Sequence, residues 1–97
     1  MTRPSLALAS HRADVIAAAA RFHTTNVRVF GSVARHQDEE DSDLDILVDA
    51  LPQTTLFDLG GLQVTLEQIL GIKVDVLTPL DLPAKFRNSV IAQARPV

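Results

Sequence analysis

The sequence predicts an α+β domain: a small mixed three-stranded sheet with helices packed on one face, in the order αβαβαβα. Three observations carry this. Ser42–Asp49 alternates, with Leu44, Ile46 and Val48 set against Asp43, Asp45, Leu47 and Asp49, and a period of two marks a half-buried strand. Ile72–Leu77 repeats the pattern over a shorter span, with Ile72, Val74 and Val76 set against Lys73, Asp75 and Leu77. Between them Leu56, Leu59, Leu62, Leu66, Ile69 and Leu70 fall at helical spacing.

The elements follow in order. Ser5 to His23 is Ala-rich, and Leu8, Val15, Ala18, Ala19 and Phe22 share one helical face, which predicts a single amphipathic helix. Asn26 opens a β-branched run, Val27–Phe30, that stops at Gly31 and reads as a strand. Ser32–Gln37 is expected to be a short helix after the Gly-Ser turn, and Asp38–Asp41 a solvated, mobile loop. The Ser42–Asp49 strand ends before Pro52. Thr54 or Thr55 is the N-cap of the next helix and Gly71 its stop, with Gly60-Gly61 a weak point or break within it. Ile72–Leu77 is the third strand, and a last helix runs from Leu82 or Pro83 to Ala94.

Composition narrows the function. Ninety-seven residues are expected to form one domain over 1–97, with no room for a second core. There is no Cys, hence no disulfide framework, thiolate zinc site or cysteine nucleophile. A hydrophobic content of 46% is too high for a disordered chain. The apolar run Val15–Ala20 is far short of the roughly 20 residues that span a bilayer. No membrane role and a cytoplasmic location are therefore expected. The net charge is −3, but seven of the twelve acidic residues lie between Asp38 and Asp49, where there is no Lys or Arg. Phosphate contacts need clustered basic residues, so the chain alone is a poor nucleic-acid binder.

The chemistry concentrates where the charge does. Residues two apart on a strand share a face, so Asp43 and Asp45 stand side by side, and Asp75 from a neighbouring strand can point at the same spot. Three such carboxylates repel one another, at about 1 kcal/mol per pair at roughly 4 Å in water and more near a protein surface. Divalent magnesium, which takes oxygen ligands and bridges carboxylates to phosphates, is the natural counterion. Any one of these acids alone would be an ordinary solvent-facing strand residue. Gly31-Ser32 adds the second half of a site: backbone N–H groups, a hydroxyl and a close approach that together suit an anion. By itself it would be a tight turn with a Ser cap. A calcium loop is excluded, because the Asp41-x-Asp43-x-Asp45 series puts Ile46 where Gly is required and Pro52 where Glu is required.

Gly31-Ser32-Val33-Ala34-Arg35 followed by Ser42-Asp43-Leu44-Asp45-Ile46-Leu47-Val48 resembles the signature of the DNA polymerase beta-like nucleotidyltransferase superfamily. More narrowly, it resembles the minimal nucleotidyltransferases (MNT proteins) of prokaryotic toxin–antitoxin pairs, with Asp75 in Val74-Asp75-Val76 matching the third carboxylate. The resemblance implies a nucleotidyltransferase fold. It also implies an enzyme that transfers AMP from ATP to a hydroxyl, with Asp43, Asp45 and Asp75 as catalytic metal ligands for two Mg2+ ions. Gly31, Ser32, Arg35 and Ser42 would bind the nucleotide. The implied partner is a HEPN RNase toxin that offers a tyrosine; this chain contains no Tyr of its own. The alternative is a non-catalytic antitoxin that neutralises the toxin by contact. One departure stands out: His36 follows the Ala-Arg pair where the family usually has Gly, a residue suited to positive φ. His36 itself reads as a solvated loop residue, and Arg35 either serves the site, by contacting phosphate or offsetting the carboxylates, or pairs structurally with a neighbouring acid.

Overall fold

The computed structural model describes residues 3–97. Helices α1 (Pro4–Ser10) and α2 (Arg12–Arg21) lead into strand β1 (Thr24–Phe30), followed by β2 (Leu44–Ala50), α3 (Leu56–Leu70), β3 (Val74–Leu77), a 3-10 turn (Pro79–Asp81), α4 (Ala84–Gln93) and β4 (Arg95–Pro96). The sheet order is β3-β2-β1-β4. β2 and β3 run parallel, while β1 is antiparallel to both β2 and β4, so the sheet is mixed.

Four strands are present where three were expected. β4 is two residues long and pairs Arg95 with Val29 and Pro96 with Arg28. An Arg-Pro dipeptide carries no alternation to read, and Pro is tolerated there because the strand lies at the sheet edge. The expected first helix is two. His11, at φ −128° and ψ 23°, breaks the chain between α1 and α2. The short helix expected over Ser32–Gln37 is instead a series of turns. Its N–H groups reach back four residues (Arg35 to Gly31), then three (His36 to Val33), then five (Gln37 to Ser32), so no helical ladder forms. Left-handed residues bound it at both ends, Gly31 at φ 72° and His36 at φ 57°.

α3 is anchored as its sequence requires. Thr55 Oγ1 accepts the Asp58 N–H and the Asp58 carboxylate accepts the Thr55 N–H, a reciprocal cap. Gly71 ends the helix at φ 68°. The helix runs unbroken through Gly60-Gly61. A Cβ at Gly61 would lie 2.6 Å from Phe22 Cε1, so the missing side chain lets that ring lie against the helix.

Leu44, Ile46 and Val48 of β2 are fully buried and join Val15, Leu62, Leu66 and Val74 in one core between the sheet and α1–α3. Leu47 points to the opposite face yet is also fully buried, and it and Leu82 lie outside that core. The 3-10 turn contacts β2 and α4 contacts β1, so they cover the far half of the second face. The near half, at the start of β2 and β3, stays open. Among the described residues no helix is long and apolar enough to cross a membrane.

Candidate active site

The register of the sheet assembles the site. Asp45 on β2 sits directly beside Asp75 on β3 and beside Phe30 on β1. Neighbouring strands are about 4.8 Å apart, so the two carboxylates leave the sheet side by side on its open face. Asp43 precedes β2 by one residue and is exposed, on the same parity as Asp45. Phe30 is the last residue of β1, which brings Gly31 against Asp45. A Cβ at Gly31 would meet Asp45 Oδ2 at 2.3 Å. The glycine therefore makes room for the carboxylate itself, in addition to permitting the positive φ of the turn.

Electrostatics ties the set together. Asp45 is half-buried, and its carboxyl is pushed above the ordinary range first by that burial and then by the charges of Asp75 and Asp43. Arg35 opposes the shift, so the Arg35 charge acts on Asp45. Its Nε donates to Gln37 Oε1 at 3.1 Å, and the side chain is exposed. Ser32 is half-buried at the start of the turns, next to Gly31.

Ser42 is occupied locally: its hydroxyl accepts the Glu39 N–H at 2.8 Å, and its own N–H donates to the Glu39 carbonyl. It braces the loop leading to Asp43. Ser42 and Asp43 also form one wall of an open cavity of about 570 Å³, faced by Leu70, Gly71, Ile72 and Lys73.

Two features were missed from the sequence. Asp38 is buried instead of solvated, and its carboxylate accepts the Ser5 N–H at 3.0 Å. Burial works to raise its pKa, but the hydrogen bonds from Ser5 and the Arg3 charge outweigh it and hold Asp38 below the ordinary range. Second, the outer edge of β3 is held by α3 side chains. Glu67 Oε2 accepts the Val74 N–H at 3.1 Å and Gln63 Oε1 accepts the Val76 N–H at 3.3 Å, bracketing Asp75. Their spacing of four residues on one helix face is the only signal, and it reads as ordinary surface polarity until the strand is placed.

A divalent cation fits this donor set by charge and chemistry, with three carboxylates that raise one another's energy and a single Arg opposing them. Among the described residues, no three acidic or His side chains are drawn into a closed ligand group. The charges of Asp75 and Asp43 reach Asp45 without the three side chains already converging on a point.

Comparison with known proteins agrees with this geometry. The sequence profile of the family described as "Nucleotidyltransferase domain" matches residues 15–97. Protein adenylyltransferase MntA of Thermococcus cleftensis is 36% identical over 73 residues, which is 75% of this chain and 74% of that protein. The solved structure of a candidate minimal nucleotidyltransferase superposes with a TM-score of 0.86 at 40% identity, covering 96% of this chain and 95% of the other. A toxin–antitoxin crystal structure with AMP-PNP superposes at 0.73 with 20% identity over 87% of this chain and 69% of the other, a likeness of fold.

Proposed function

The chain belongs to the nucleotidyltransferase domain family, and from that premise we propose that it is an antitoxin that transfers AMP from ATP to a hydroxyl of a partner toxin. The observation that carries the proposal is the pairing of Asp45 with Asp75 across parallel strands, beside Gly31 and Ser32. The MntA relative from Thermococcus cleftensis is named as a protein adenylyltransferase, and a similar fold was crystallised as a toxin–antitoxin with an ATP analogue.

In this reading Gly31, Ser32 and Arg35 receive the triphosphate: backbone N–H groups and a hydroxyl at the turn, and a cation one turn further on. Asp43 and Asp45 would hold Mg2+ against the phosphates, and Asp75 would complete the set on the acceptor side. The ions, when bound, supply the positive charge that lets a phosphate and three carboxylates share the face and stabilises the oxygens of an in-line displacement. What the protein contributes is position: the sheet register fixes two carboxylates relative to each other, and Gly31 fixes the turn relative to Asp45. Asp75 lies on the strand whose outer edge α3 braces, which positions the acceptor side. The acceptor is a tyrosine hydroxyl of a HEPN RNase. Ser42 supports the nucleotide side by bracing the loop before Asp43.

The alternative reading is a non-catalytic antitoxin that acts by contact alone, which would need the fold and not the carboxylates. One experiment separates the two. The purified chain is incubated with its toxin, ATP and magnesium, and the toxin's intact mass is measured. Increments of one AMP that disappear with Asp43→Asn are expected. An unmodified toxin in a stable complex with the wild-type chain would sink the transferase reading and leave the contact reading standing.

A further inference from the structure

A second cluster of charge lies on the helix side of the turns that carry Ser32. Arg12 at the start of α2, His36 at the end of the turns and Arg95 in β4 come together around a cavity of about 260 Å³. Its floor is apolar and made of core residues, Leu8, Val29 and Val33. Arg12 and Arg95 are permanently charged, and no acidic residue lines the cavity. Among the described residues the ion pairs are His11–Asp14, His23–Asp58 and Arg28–Asp49, so neither Arg12 nor Arg95 has a carboxylate partner. The nearby acid, Asp38, is already turned onto the Ser5 N–H. Arg95 instead packs its guanidinium against His36 Nε2. An arginine has only donors, so in that contact the ring nitrogen is the accepting side.

Two guanidinium groups and an imidazole gathered over an apolar floor, in a chain whose net charge is −3, make a place for an anion with an organic body. We propose that this cavity is a second, non-catalytic site for a small phosphate-bearing molecule. The two arginines would hold the phosphate by paired N–H donors, the geometry guanidinium and phosphate share. His36, its ring released from Arg95, would contribute a further N–H. The bound anion would join three segments that are distant in sequence, α2, the turns and β4, and so fix the turns that present Ser32. The site does not depend on the transfer reaction.

The test uses the full chain and two probes, inorganic phosphate and AMP, read by thermal melting and by NMR of the arginine Nε–H and His36 ring signals. Both probes are expected to raise Tm with the logarithm of their concentration, by about 5 °C or more at ten times Kd, and to shift the Arg12, Arg95 and His36 signals saturably. Arg12→Gln and Arg95→Gln, both at exposed positions, should weaken binding at least tenfold, and Ser32→Ala should leave those shifts intact. Tighter binding of AMP than of phosphate identifies a nucleotide as the ligand, and equal binding identifies the free ion. Absence of saturable shifts at these three residues, or their loss in Ser32→Ala with retention in Arg95→Gln, would overturn the proposal.

Discussion

Gly31 and Asp45 occupy space that a larger residue would need, and that close fit makes Asp45 the most informative single position. Its carboxyl is raised by burial and by two like charges. The native state therefore keeps the Asp45 proton to higher pH than the unfolded chain does, and once ionised near neutrality the group opposes folding. Asp45→Asn keeps the shape and removes the charge. Without magnesium its Tm at pH 7.5 should exceed wild type by about 2–5 °C, while AMP transfer falls at least about a hundredfold. A lower Tm would mean that the charge cluster is not strained. Asp49 behaves in the opposite sense. Hydrogen bonds from Arg28 and then Asn26 hold it below the ordinary range, so its contribution is present above that range and lost as pH falls through its folded value. The Asp49 side chain is 41% exposed, which limits the effect to about 1 kcal/mol or less. Asp49→Asn should melt below wild type at pH 6 and converge with it at pH 2. His36 is the third case. It holds a left-handed conformation that costs an L-residue about 1 kcal/mol. His36→Gly relieves that strain but also loses the contact with Arg95, so it should be more stable than His36→Ala by about 0.5–1 kcal/mol. His36→Ala, which keeps the strain and loses the contact with Arg95, should be less stable than wild type in urea titrations.

At the scale of elements, the active face depends on an edge strand of four residues that is short for its task. β3 is paired on one side by β2, and on the other its N–H groups at Val74 and Val76 are taken by Glu67 and Gln63. Glu67→Ala removes an acceptor worth about 1 kcal/mol and should raise amide exchange at Val74. Displacement of Asp75 should then slow transfer by between about tenfold and a hundredfold. Glu67→Gln retains a carbonyl oxygen there and should restore both readouts. The same elements show what a sequence can and cannot reveal. The β2 and β3 alternations and the Thr55 and Gly71 signals around α3 are local, and each was legible in residue spacing alone. The candidate site was legible for the same reason: Asp43, Asp45 and Asp75 follow from strand parity. The bracing of β3 by Gln63 and Glu67 depends on where α3 lands, as does the capture of Asp38 by Ser5. β4 exists only because the chain returns beside β1, and Arg95-Pro96 has no pattern of its own. The turns over 31–36 read as a helix because Ser32–Gln37 lacks a breaker by composition. It is the backbone at Gly31 and His36, at φ 72° and 57°, that prevents one.

Over the whole molecule, charge is divided between two places, with the carboxylates on the open end of one sheet face and the arginines of α2 and β4 behind the turns on the other. On the acidic face the charges of Asp75 and Asp43 act against the ionised Asp45, with Arg35 in opposition. A ligand that binds the folded chain and not the unfolded one stabilises it by an amount that grows with the logarithm of its concentration, about 2.7 kcal/mol at one hundred times Kd. Magnesium should therefore raise Tm progressively from the micromolar to the millimolar range, well beyond what sodium chloride does at equal ionic strength. Screening by salt acts on all surface charges alike, whereas specific binding needs the three carboxylates. The difference between the two salts should vanish in Asp43→Asn and in Asp75→Asn. It should be largest when ATP is present with magnesium, because the triphosphate then adds oxygens that three separated carboxylates do not supply. Equal melting curves in the two salts for the wild-type chain, with and without ATP, would show that the open face does not take a divalent ion, and the reading of antitoxin by contact would follow.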